Sequence, residues 1–129
     1  MSSIESVLME KASAALDQAT LLLGAGHFDG AADRAYYAMF HAVSALLRHH
    51  GMTFASHRGL HSAFGKEFAK TDRIDPKYHR MLLNAFDLRQ TADYGAEADI
   101  DPATANRVCE EAADFVDMVR REMTSERSA

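Results

Sequence analysis

Three punctuation marks constrain this chain more than anything else in it. Asp75-Pro76 and Asp101-Pro102 each place an N-cap acid before a proline at the first helical position, and Gly24-Ala25-Gly26 stops whatever helix precedes it. Between these marks apolar residues keep helical spacing, and no run shows the alternation of a strand. Ser2 followed by Glu5 reads as a capping box, and Ile4, Leu8, Ala12, Ala15, Ala19, Leu22 and Leu23 predict a first helix over about 3–24. A second begins near Phe28 or Asp29 and runs to Gly51, its alanine-rich body suited to close packing at the centre of a bundle. Ser56 caps a third, shorter helix with Leu60, Phe64 and Phe68 on one face, and Gly59 and Gly65 argue against its regularity. The fourth is expected over about 76–94, with Gly95 as its C′ residue. The fifth runs from Pro102 to about Met123, leaving residues 124–129 as a frayed tail. The fold class is therefore all-α: an antiparallel up-and-down bundle of four long helices plus one short helix. A single domain is expected over 1–129, with its core at about 4–120.

Composition excludes several classes. No apolar run reaches the roughly 18 residues of a membrane span, and the start Met1-Ser2-Ser3-Ile4-Glu5 lacks the basic block of a signal peptide. The expectation is a cytoplasmic protein with no membrane partner. The lone Cys109 falls on the apolar stripe of the fifth helix and reads as a packing residue. Net charge is −5, unevenly spread: residues 48–80 hold seven Lys or Arg against three Asp or Glu, so this third is +4 and the rest is −9. Such a dipole is either a basic surface for an anionic partner or an ordinary solvated face.

The polar residues of the second helix are less ordinary. Arg34, Tyr37, His41, Ser44 and Arg48 share one stripe, while Ala35, Met39, Ala42 and Leu46 share another. Two arginines, a phenol and an imidazole on one stripe suit an anion, and equally suit a solvated face. In the fourth helix Arg89 stands where the pattern of Tyr78, Leu82, Ala85 and Ala92 calls for an apolar residue, so its guanidinium needs a partner, with Asp93 in reach four residues on. His57 and His61 have metal-ligand spacing, but Arg58 replaces the glutamate of an H-E-x-x-H motif, and no metal or cofactor is expected. There is no Gly-rich phosphate loop, G-x-S-x-G elbow or paired-glutamate helix motif, and those enzyme classes fall away. What remains is a base for a ribose hydroxyl proton and cations for a phosphate, which composition does not separate from plain anion binding.

Three stretches taken together, AADRAYYAMFHAVSALL at 31–47, SHRGLHSAF at 56–64 and LRQTADYG at 88–95, resemble the HEPN domain, a small prokaryotic helical bundle. The resemblance spans about residues 4–120. It implies a bundle that forms a homodimer, often setting the polar motifs of two protomers around a shared cleft. Many HEPN proteins are metal-independent ribonucleases acting as toxins, commonly encoded beside a minimal nucleotidyltransferase antitoxin; others bind nucleotides or partner proteins without catalysis. The ribonuclease members carry an arginine, four to six residues, then a histidine on a late helix. Here that place is Arg89 to Tyr94, with the tyrosine where the histidine would stand. An unperturbed phenol, with a pKa of about 10, is a poor base at neutral pH. Arg34 and His41 satisfy the same pattern on the earlier helix, about 10 Å apart along its axis. The resemblance thus assigns Arg34 and Arg89 to RNA phosphate, His41 to the base, and Tyr37, Asp93, Tyr94 and Arg48 to binding or orientation. A nucleotide-binding or partner-binding module and a purely structural helical dimer are the alternatives.

Overall fold

A computed structural model describes residues 2–94 and 100–128, without the side chains of 93, 94 and 126–128. Five α-helices make up the chain: α1 (Ser3–Gly24), α2 (Phe28–His49), α3 (His57–Phe64), α4 (Pro76–Tyr94) and α5 (Pro102–Ser128). A π-helical turn, Gly65–Ala69, continues α3. No strand occurs among the described residues, and no helix is long and apolar enough to cross a membrane.

The start signals work as their chemistry requires. Ser2 and Glu5 form the capping box of α1, and the Ser56 hydroxyl accepts the Gly59 N–H at 3.0 Å. Asp75 accepts the Lys77 N–H at 3.0 Å and Asp101 the Thr104 N–H at 2.7 Å, which satisfies amides that the first turns of α4 and α5 leave unpaired. Helix α2 stops two residues before Gly51, whose φ of 77° takes the chain out of the helix. At the other end of the chain α5 does not stop at Met123. It continues to Ser128, because no proline or glycine stands in its way. The expected C′ glycine of α4, Gly95, lies outside the described residues.

Helix α2 packs against α1, α3, α4 and α5. Its alanines 31, 32, 35, 38, 42 and 45 are all fully buried, and a helix with so little side chain on several faces lets its neighbours come close on each of them. Contacts fix the directions. Glu5 meets His49 and Gln18 meets Arg34, so α1 and α2 are antiparallel; Asp33 meets Arg89, so α2 and α4 are too. The core is closed by Phe64 and Phe68 from one side and by Phe115, Val116, Val119 and Met123 of α5 from the other.

Two local departures from simple patterning shape this frame. The first is on α1, where Ile4 is 47% exposed and its neighbour Glu5 is buried. The inward stripe begins one position later than hydrophobicity alone predicts, because the carboxylate has partners: the Ser2 backbone N–H and the His49 imidazole at 2.8 Å. Burial works to raise the Glu5 pKa, but the bonds from Ser2 and His49 outweigh it and hold the carboxyl at about 2. The second is the π turn, closed by Lys70 N–H donating to the Gly65 carbonyl at 2.9 Å. A Cβ on Gly65 would lie 2.6 Å from Nε2 of His79, a nitrogen that donates to the His61 carbonyl at 3.2 Å.

Gly65→Ala is expected to destabilise the protein by about 1–3 kcal/mol in urea unfolding, because the methyl must push His79 off its carbonyl. Glu5 predicts an acid effect with a definite sign. Its folded pKa lies below the unfolded one, so its contribution is complete above pH 4.5 and is lost as pH falls from 4.5 towards 2. Unfolding midpoints of wild type and Glu5→Gln measured down that range should converge.

Candidate functional site

The first turns of α2 and the last turns of α4 bring charge together. Asp33 on α2 faces two guanidiniums at once: its Oδ1 accepts Nε of Arg89 at 3.0 Å, and its Oδ2 accepts the neighbouring Arg34 at 3.0 and 3.2 Å. Arg34 also reaches Gln18 of α1 at 3.4 Å. Both guanidiniums lie 4.9 Å from the centroid of the Tyr37 ring, within cation–π range. One carboxylate cannot neutralise two cations, so the cluster keeps a positive charge. It is also within reach of solvent, with side-chain exposures of 33% for Arg34, 28% for Asp33 and 23% for Arg89.

Behind this cluster lies a second, buried one. Tyr36 is fully buried, and its hydroxyl sits 2.6 Å from Nδ1 of His57 and 2.8 Å from Nε2 of His61. The four-residue spacing on α3 puts both imidazoles on one side of that helix, and there they meet a phenol. Among the described residues no group of three His, Cys, Asp or Glu is placed to hold a metal ion. The His57 ring stacks on Phe40 at 4.5 Å and on Phe86 at 5.8 Å, and His61 meets Phe86 edge-on at 4.8 Å.

This apolar shell sets the protonation states. Burial, with His57 and His79 adding to it, pushes the His61 pKa down to about 4, so the ring is neutral at physiological pH. Burial and then the Arg89 charge lower that of His57. The Tyr36 hydroxyl moves the opposite way, held protonated by burial and by Tyr37 against a weaker pull from Arg89.

The residues singled out by sequence are partly assembled here. Arg34, Tyr37 and Arg89 come together. His41 lies one turn past Tyr37, ring centroids 6.0 Å apart, half-buried and lowered in pKa by burial and by Lys11 and Arg34. Arg48 does not join them. It is exposed at the far end of α2, beside Ser2, Glu5 and His49, about 20 Å along the axis from Arg34. The side chains of Asp93 and Tyr94 lie outside the described residues, and the partner that the structure shows for Arg89 is Asp33. Two central residues escaped sequence reasoning. Asp33 had no periodic signal, since its partner is 56 positions away. Tyr36 did have one: it sits next to Ala35 on the buried face, and a buried phenol calls for a hydrogen-bond partner.

The chain belongs to the HEPN family: the HEPN domain matches residues 6–122. A UPF0332 protein of Thermotoga maritima is 33% identical over 86% of this chain and 84% of its own length. Two proteins of Methanocaldococcus jannaschii, both named as candidate toxins, are 32% identical. They cover 92% and 88% of this chain, and 80% and 84% of their own lengths.

The buried imidazole predicts a second, milder acid sensitivity. His61 stays neutral in the fold to about pH 4 but titrates near 6.5 once unfolded, so the unfolded state binds more protons between these values. Stability should fall as pH drops from about 6.5 to about 4, and His61→Leu should flatten that slope in urea titrations at successive pH values.

Proposed function

We propose that this protein is a metal-independent endoribonuclease of the toxin type, working as a homodimer and held in check by a minimal nucleotidyltransferase partner. One observation carries the reading: Asp33 holds Arg34 and Arg89 side by side over Tyr37, a half-exposed cluster with charge to spare. Guanidiniums in that arrangement suit the non-bridging oxygens of a phosphodiester, where negative charge grows as the 2′ oxygen attacks. Tyr37 offers a ring on which a base can stack. An imidazole close by is the group to take the 2′ proton, and His41 is the one the sequence stripe supplies. The names of the two Methanocaldococcus relatives point the same way.

A second reading has its own support. Tyr94 stands where the ribonuclease pattern has its histidine, which favours a module that binds a nucleotide or the nucleotidyltransferase without cleaving anything. Incubating purified protein with single-stranded RNA in excess chelator separates the two. The nuclease reading expects cleavage with 2′,3′-cyclic phosphate ends, reduced by about a hundredfold or more in Arg89→Ala. Intact RNA together with saturable nucleotide binding would instead establish the second reading.

A further inference from the structure

We propose that the general base of this site is His57, with Tyr36 and His61 as positioning residues that decide which of its ring nitrogens is free. The proposal rests on the nuclease reading above and deepens it, replacing His41 in the role that the sequence stripe gave it.

Placement comes first. The His57 ring lies 6.0 Å from the Tyr37 ring, edge to face, and Tyr37 is the ring over which both guanidiniums sit. Stacking on Phe40 fixes the imidazole plane, and the bond from Nδ1 to Tyr36 fixes its rotation. His41 has ring contacts with Tyr37 and Phe40 and, among the described residues, no hydrogen bond to orient it.

Proton counting comes next. The Tyr36 hydroxyl has one hydrogen and two imidazole nitrogens at bonding distance, so it donates to one and accepts from the other. When Tyr36 donates to Nε2 of His61, Nδ1 of His57 must be the protonated nitrogen, and its Nε2 is left as a bare lone pair. That is the tautomer a base requires. The groups facing His57 are Tyr36 and Tyr37 of α2, Arg89 of α4 and His61 of its own helix, and Arg89 is the one carrying charge. A cation beside it and an apolar shell around it both keep His57 neutral and ready to accept a proton.

In the step itself, Nε2 of His57 takes the 2′ hydroxyl proton as the 2′ oxygen bonds to the adjacent phosphorus. The bond from phosphorus to the 5′ oxygen breaks. Water protonates the departing 5′ oxygen, and the imidazolium returns its proton to the hydroxide so formed. The products are a 2′,3′-cyclic phosphate and a 5′ hydroxyl.

The test uses single-stranded RNA of mixed sequence in chelator, with DNA of the same sequence as the uncleavable ligand. His57→Ala and the bulkier His57→Gln should each slow cleavage by about a hundredfold or more while binding DNA within a few-fold of wild type. Tyr36→Phe should slow cleavage and move the acidic limb of its pH–rate profile to lower pH, because the imidazolium loses its acceptor at Nδ1; a merely structural role leaves that limb in place. Long-range proton–nitrogen NMR on wild type needs no variant, and should find Nε2 of His57 unprotonated at neutral pH. Undiminished cleavage in both His57 variants, or a proton on that Nε2, overturns the assignment and leaves the nuclease reading standing. RNA left whole by wild type overturns the nuclease reading and the base with it.

Discussion

A helix wrapped on all sides has nowhere to put a polar side chain except into its neighbours, and that constraint governs this bundle. Helix α2 touches every other α-helix, and its alanines let all of them close in. Each polar group it carries inward is therefore met by a specific partner from another element: Asp33 by Arg89 of α4, and Tyr36 by His57 and His61 of α3. The Asp33 pairs are partly exposed and worth no more than about 1 kcal/mol each. Apolar burial carries the stability, and the ion pairs set where two guanidiniums stand.

The frame of the protein was written in local signals. Asp75-Pro76, Asp101-Pro102 and the Ser2–Glu5 box are short-range chemistry, and each cap formed as that chemistry dictates. The site was less legible, because its decisive pairs join residues far apart in the chain. Nothing in a helical period ties Asp33 to Arg89 or Tyr36 to His57. Hydrophobicity also misplaced the start of the inward stripe on α1, since a carboxylate with partners can replace an isoleucine indoors. The i, i+4 histidines were visible, but spacing alone does not distinguish a metal from a phenol.

The charge asymmetry reads differently once folded. Both arginines of the cluster, Arg34 and Arg89, come from outside the basic stretch 48–80, and that stretch contributes His57 and His61 instead. Cationic and neutral groups are thereby sorted by depth: guanidiniums at the rim, imidazoles in an aromatic shell behind. Tyr36 and Tyr37, adjacent in sequence, serve the two layers separately, one facing inward to the histidines and the other meeting the arginines.

The π turn that follows α3 has a bearing on how this chain can vary in length. Its closing bond spans five residues where an α turn spans four, so it holds one residue more than a regular helix would. Loss of a residue between Gly65 and Ala69 would restore ordinary helical bonding and look harmless on paper. Yet everything beyond would come round by about 100°, taking Phe68 out of phase with Phe64 and Gly65 out from under His79. The surplus residue acts as a phase spacer, whereas the loop at 70–75 is free to absorb a change in length.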